Sequence, residues 1–212
     1  MQAPFFCNIG RDDAKTDMKL AARWHYELAQ MCLFFKQEQR ALKELAAALE
    51  LEPGYVAAAE SLGFLHASRG HRHAAIREFE RVLEVAPQRA ATWFNLGFVH
   101  HQDRAYEEAI TAFRRAIELN PSIDRAWYGM GLALRSLGRL DEAAVALERA
   151  GKLQPMNPYA WYELAMTYYA QKRYDKVQET IEYLNGFDPK MTMQLMRETP
   201  DRPGGSGART AA

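Results

Sequence analysis

Cysteine is almost missing from this chain. Cys7 and Cys32 stand far apart, form no metal or redox spacing, and suit a reducing compartment. Net charge is missing too. Twenty-seven basic residues balance 27 acidic ones, so no field draws the chain to nucleic acid or an anionic membrane. No run of 18 apolar residues is present, which excludes a membrane-spanning helix. The opening, MQAPFFCNIGRDDAK, has neither the basic flank nor the sustained apolar core of a secretory signal. Phe5-Phe6-Cys7 likewise lacks the basic residues and longer apolar stretch that precede a lipoprotein cysteine. These absences predict a soluble, cytoplasmic chain.

Catalytic signatures are also lacking. There is no phosphate-binding glycine loop, no nucleophile elbow and no HExxH. Gly129-x-Gly131 falls within a helical pattern and reads as packing. Glu107-Glu108 and Asp141-Glu142 sit at the starts of helical patterns, where carboxylates complement the helix dipole. The expectation is a protein that is not an enzyme and holds no cofactor.

What the sequence does contain is a ruler. Pro53, Pro87, Pro121, Pro155 and Pro189, five of nine prolines, recur every 34 residues. Proline has no N–H to donate and clashes with the preceding turn, so each one reads as closing a helix. Equal units ending in a stop signal describe a repeat array. The grid divides the chain into 22–55, 56–89, 90–123, 124–157 and 158–191. Residues 1–21 form a lead and the start of the first helix, with Asp12, Asp13, Thr16 and Asp17 as candidate N-caps. Each unit holds two helical runs separated near its fifteenth place, where Gly70 and Gly138 suit a helix C-terminus. In YEEAITAFRRAIEL, Ala109, Ile110, Phe113, Ala116 and Ile117 share one helical face. The prediction is ten helices of about 13 or 14 residues in antiparallel pairs.

Small residues explain how the pairs close. The eighth place holds Ala29, Gly63, Gly97, Gly131 and Ala165; the twentieth holds Ala41, Ala75, Ala109, Ala143 and Val177. Helix axes reach the short end of the ~8–10 Å range only over side chains this small. After Pro189, Met191, Leu195 and Met196 mark a short capping helix that begins near Met191 and runs to residue 198. Residues 199–212 read as a flexible tail.

Trp93-x2-Leu96-Gly97, Trp127-x2-Met130-Gly131 and Trp161-x2-Leu164-Ala165-x2-Tyr168 resemble the opening of the tetratricopeptide repeat (TPR). Ala109-x3-Phe113-x2-Ala116-x4-Pro121 is similar to its second half. The resemblance covers 22–191 and implies an all-α, right-handed α-solenoid of five helix pairs with a C-terminal capping helix. Trp24 departs from it by lying one place early. It also implies that first helices line a concave, ligand-binding face. There the fifth place carries Tyr26, Glu60, Phe94, Tyr128 and Tyr162. The ninth carries Gln30, Phe64, Phe98, Leu132 and Met166, where many relatives are polar. Places four apart share a helical face, so these columns predict an apolar stripe fringed by Arg23, Asn95, Arg125, Arg135 and Glu163.

The groove expectation therefore rests on Tyr26, Phe64, Phe94, Asn95, Phe98, Arg125, Tyr128, Leu132, Tyr162 and Met166. Its predicted occupant is an apolar or amphipathic segment of another protein, held by a non-enzymatic adaptor or assembly factor. The alternatives are a homo-oligomeric scaffold whose N-terminal lead, with Phe5 and Phe6, docks in a neighbouring groove, and a secretion-type chaperone. The carboxylate clamp by which some relatives hold chaperone tails is not expected. Asn95 and Arg125 match two of its members, but Glu60, Phe64 and Gly129 stand where Lys, Asn and Arg belong. His66, His71, His73, His100 and His101 cluster in the second and third repeats. They match no metal motif, and His66 and His100 take places of a family tyrosine, so no metal is expected.

Overall fold

A computed structural model describes residues 9–200; the side chains of Ile9–Asp13 are not described. Among the described residues there are eleven α-helices and no strand. They are α1 (Ile9–Phe34), α2 (Glu38–Leu51), α3 (Val56–Ser68), α4 (Arg72–Val85), α5 (Ala90–Gln102), α6 (Tyr106–Leu119), α7 (Asp124–Ser136), α8 (Leu140–Leu153), α9 (Pro158–Ala170), α10 (Tyr174–Asn185) and α11 (Pro189–Glu198). The chain gathers into two compact units that divide between Val99 and His100, within α5. The fold is the all-α class expected from the repeat.

Four of the five grid prolines act as the ruler predicts. Pro53, Pro87, Pro121 and Pro155 each follow directly on the C-cap residue of α2, α4, α6 or α8. Pro189 is the correction. Here α10 has already stopped at Asn185, and Pro189 opens α11 behind an N-cap, Asp188, whose carboxylate accepts the Met191 N–H at 2.9 Å. A missing N–H costs nothing at the first helical position, so proline starts a helix as readily as it ends one. The capping helix thus begins at Pro189 rather than near Met191. Leu195 is buried in its inner face, and Met196 is exposed. Thr199, expected in the tail, is buried and donates its hydroxyl to the Leu195 carbonyl at 2.8 Å.

The second correction is α1. It spans 26 residues and starts at Ile9, so Asp12, Asp13, Thr16 and Asp17 lie inside the helix instead of capping it. Phe5, Phe6, Cys7 and residues 201–212 lie outside the described residues.

The break between helices is built identically five times. Lys36, Gly70, Arg104, Gly138 and Lys172, all at the fifteenth place, have φ between 57° and 76°. In each case the next residue's N–H reaches back five residues: Gln37 to Cys32, His71 to His66, Ala105 to His100, Arg139 to Leu134 and Arg173 to Tyr168, at 2.8–3.0 Å. This is the Schellman ending, which satisfies carbonyls left over at a helix C-terminus.

In the first unit, Ala29, Cys32, Ala41, Leu45, Ala48, Ala58, Leu62 and Leu65 form the core between α1, α2 and α3. In the second, Leu147, Leu164, Ala165, Tyr168, Ile181, Leu184 and Leu195 join α8 to α11. The small places do the work assigned to them. A Cβ on Gly63 would stand 2.8 Å from the Phe79 ring, and one on Gly131 would stand 2.6 Å from Leu147 Cγ. Phe79 and Phe113 are fully buried, each worth about 1.5–3 kcal/mol over exposure. The repeat tryptophans tie each repeat to the turn before it. Trp93, Trp127 and Trp161 donate Nε1–H to the carbonyls of Pro87, Pro121 and Pro155 at 2.8–3.0 Å. Trp24, one place out of register, is instead 68% exposed.

Candidate functional site

The stripe residues lie where the repeat register puts them, on α1, α3, α5, α7 and α9, but they do not share one environment. In the first unit, Phe64 on α3 is 53% exposed and Phe98 on α5 is 46% exposed. Phe64 sets its edge against the buried ring of Phe79, with centroids 5.7 Å apart. Phe98 stacks on Phe94 one turn earlier, centroids 6.5 Å apart. Each ring is therefore held in place by an aromatic neighbour while much of its surface meets water. Asn95 is half-buried beside them on α5.

Other stripe positions are drawn into packing. Tyr26 rests on the first core and meets Tyr55 with centroids 5.2 Å apart. Gln30 donates to Ser61 Oγ at 3.2 Å. Glu60 is not a free groove carboxylate. It takes a two-pronged bond from Arg89 (2.7 and 2.8 Å) and a third from the buried Thr92 hydroxyl (2.6 Å), clipping α3 to the start of α5.

In the second unit, Tyr128, Tyr162 and Met166 lean on the core, and Leu132 is half-buried. The Tyr162 hydroxyl donates to Glu198 at the end of α11, and Gln194 Nε2 reaches the same carboxylate at 3.0 Å. Burial foremost, then the Glu198 carboxylate, pushes the Tyr162 phenol up to about 12. The bond from Tyr162 holds Glu198 below the usual carboxylate range. Arg135 pairs with Glu163, yet burial outweighs the guanidinium and leaves the Glu163 carboxyl raised. Burial also raises the Tyr128 phenol, helped by the Glu163 charge. Arg125 is exposed. Sequence reasoning placed Arg135 and Glu163 beside the stripe but missed their pairing, the Glu60 clip and the Tyr162–Glu198 latch. All three join residues 28 to 36 apart, and the 34-residue interval is the one signal that could have suggested them.

The histidines divide into packing contacts. His66 and His71 face each other with centroids 5.8 Å apart, and His101 meets the Tyr106 ring at 5.5 Å. Burial lowers His66 and His101 from the usual imidazole range, and His71 adds to the effect at His66. Among the described residues, no group of three or more His, Cys, Asp or Glu side chains could hold a metal ion. None of the described helices is long and apolar enough to cross a membrane.

A separate pocket of about 350 Å³ lies in the second unit among α6, α7 and α8. Ile117, Trp127, Met130, Leu134 and Val145 give it apolar walls, with Arg114, Glu118 and Glu142 also lining it. It involves none of the stripe residues.

Solved structures with the same fold include YrrB, a TPR protein with an unusual peptide-binding site. It is 22% identical, covering 82% of this chain and 90% of that one at a TM-score of 0.73. A crystal structure of MamA is 20% identical, covering 85% and 94% at a TM-score of 0.72. MamA from residue 41 onward, from Desulfovibrio magneticus RS-1, is 22% identical, covering 85% and 98% at 0.71. Among curated proteins, none matches the sequence. Residues 15–184 match the family model described as the C-terminal TPR domain of cilia and flagella-associated protein 70. With its five in-phase repeats, the chain belongs to that tetratricopeptide-repeat family.

Proposed function

We propose that the chain is a non-enzymatic adaptor or assembly factor that holds an apolar or amphipathic segment of another protein, with Phe64 and Phe98 as anchors. One observation carries this reading. Two phenylalanines at the same place of consecutive repeats remain about half exposed, although each is braced by another ring. A rigid aromatic surface loses little side-chain freedom on binding, which is why such residues dominate recognition energetics. Phe94 and Asn95 stand beside the anchors on the first unit's helices. Within the first unit, Tyr26 acts as floor more than as contact; taken by itself, the second unit offers Arg125 and Leu132 as contacts at the corresponding places, over Tyr128, Tyr162 and Met166. The peptide site of YrrB is support of a general kind, since that protein shares the fold. A cytoplasmic setting, free of cofactor, metal and nucleic acid, belongs to the same proposal.

The test is capture of partners from a lysate of the source cells by wild-type chain, Phe98→Glu and Val145→Glu. Val145 is exposed at the α6–α8 pocket, so it probes the competing surface. Loss with Phe98→Glu alone, at unchanged helicity, supports the reading. Equal capture by wild type and Phe98→Glu would remove these helices from the function and, if Val145→Glu fails, transfer it to the pocket.

A further inference from the structure

The first helix shows a surface the adaptor reading does not use. At the third place of later first helices stand Ala58, Thr92, Ala126 and Ala160; at the tenth stand Leu65, Val99, Ala133 and Thr167. All eight are buried. Two contacts show what this face meets. Thr92 bonds to Glu60 on the preceding first helix, and a Cβ on Gly129, at the sixth place, would stand 2.6 Å from the Phe113 ring of the preceding repeat. In α1 the same two places hold Trp24 and Met31, the largest side chains found there, and they are 68% and 58% exposed. Leu20, Phe34 and Phe35 extend the strip at 61%, 82% and 63% exposure. A first-helix face left to water is expected to be polar.

We propose that this face of α1 is a two-fold dimerisation surface, paired antiparallel with the same face of a second copy of the chain. Three observations select that occupant. Scaled by these exposures, at about 150–250 Å² for each fully exposed large residue, the five side chains offer roughly 700 Å² per copy, close to the ~800 Å² per partner of a stable interface. Leu20, Trp24, Met31 and Phe35 are spaced 4, 7 and 4 residues apart, a sequence that reads the same in both directions. An antiparallel pairing about an axis beside Glu27 and Leu28 therefore sets Leu20 against the partner copy's Phe35, and Trp24 against its Met31. This is the self-complementarity that a two-fold contact requires. Charge also permits it. Arg23 and Glu27, on this side of the helix, lie 4.0 Å apart and neutralise each other, and the whole chain carries no net charge. The pairing is independent of the groove, because it uses neither Phe64 nor Phe98.

The test is sedimentation of the full chain over a concentration series. A dimer at micromolar concentration is expected, unchanged in Phe98→Glu and in Val85→Glu, an exposed position on α4. Trp24→Glu and Met31→Glu should each weaken the dimer at least ~30-fold with helicity intact, since both side chains lie outside the core. The axis is checked by oxidation in a Cys7→Ser background. Glu27→Cys should cross-link to itself; Leu20→Cys should cross-link only when mixed with Phe35→Cys. A monomer at ~100 μM, open-ended growth, association that survives Trp24→Glu, or self-linking of Leu20→Cys would each overturn the proposal.

Discussion

Three of the five breaks within repeats hold a long side chain where backbone geometry favours glycine, and replacing all three should stabilise the protein. Lys36, Arg104 and Lys172 have φ of 57°, 61° and 60°, beside 76° and 75° at Gly70 and Gly138. For an L-residue this left-handed conformation costs roughly 1–2 kcal/mol. Glycine relieves that strain but adds backbone freedom to the unfolded chain, at a cost of roughly 0.5–1 kcal/mol. The net expectation is about 0.5–1 kcal/mol of stabilisation per site. All three side chains are exposed, so little packing is lost. The sites lie in separate, non-consecutive repeats, and their effects should add to about 1.5–3 kcal/mol in the triple variant. For a chain of this size that raises the melting temperature by roughly 3–12 °C. Circular dichroism during urea unfolding measures the midpoint, with the slope checked because repeat arrays can unfold in parts. Conversely, Gly70→Ala and Gly138→Ala should each lower it. A triple glycine variant no more stable than wild type would refute the reasoning, since it would mean the observed φ values carry no strain.

Two further outcomes follow from bonds between repeats. Glu60→Ala should destabilise the first unit by about 1.5–3 kcal/mol, because it strands the fully buried Thr92 hydroxyl and breaks a charged bond to Arg89; calorimetry of wild type and variant checks this. The Tyr162–Glu198 latch should hold α11 within a pH window. Glu198, depressed, contributes above the ordinary carboxylate range and loses its contribution as pH falls through its folded value. Tyr162, raised, contributes fully below about pH 10 and loses its contribution as pH climbs through about 12. Ultraviolet titration of wild type against Tyr162→Phe should reveal one phenol ionising near 12, and a missing phenol near 10 would discard the latch.

Residues that act through their own backbone chemistry were the legible ones. A proline that cannot donate, a glycine at a left-handed turn and a glycine under a phenylalanine ring each carry their reason locally. That is why four helix ends and the small-residue places were readable. Lys36, Arg104 and Lys172 were not, because nothing in a lysine or arginine announces a positive φ that the Schellman bonds impose. The start of α1 was misread because Asp12 and Asp13 are good caps when a helix begins there, whereas here it has already begun at Ile9. At the candidate site, the ninth-place column was visible as spacing. Only the packed structure separates Phe64 and Phe98, which keep contact with water, from Tyr128, Tyr162 and Met166, which settle onto a core. Trp24 was legible only as a tryptophan one place out of the repeat pattern, and Met31 was not singled out, because spacing alone does not tell a covered first helix from an exposed one.

The bond from each repeat tryptophan to the proline carbonyl before it has a use beyond holding the turn. It places an intrinsic fluorophore at three successive junctions, while Trp24 reports from the exposed face of α1. Single-tryptophan versions of the chain would emit from one joint at a time. The order in which the joints come apart, from either terminus or from the middle, could then be followed by colour alone, without attaching any dye.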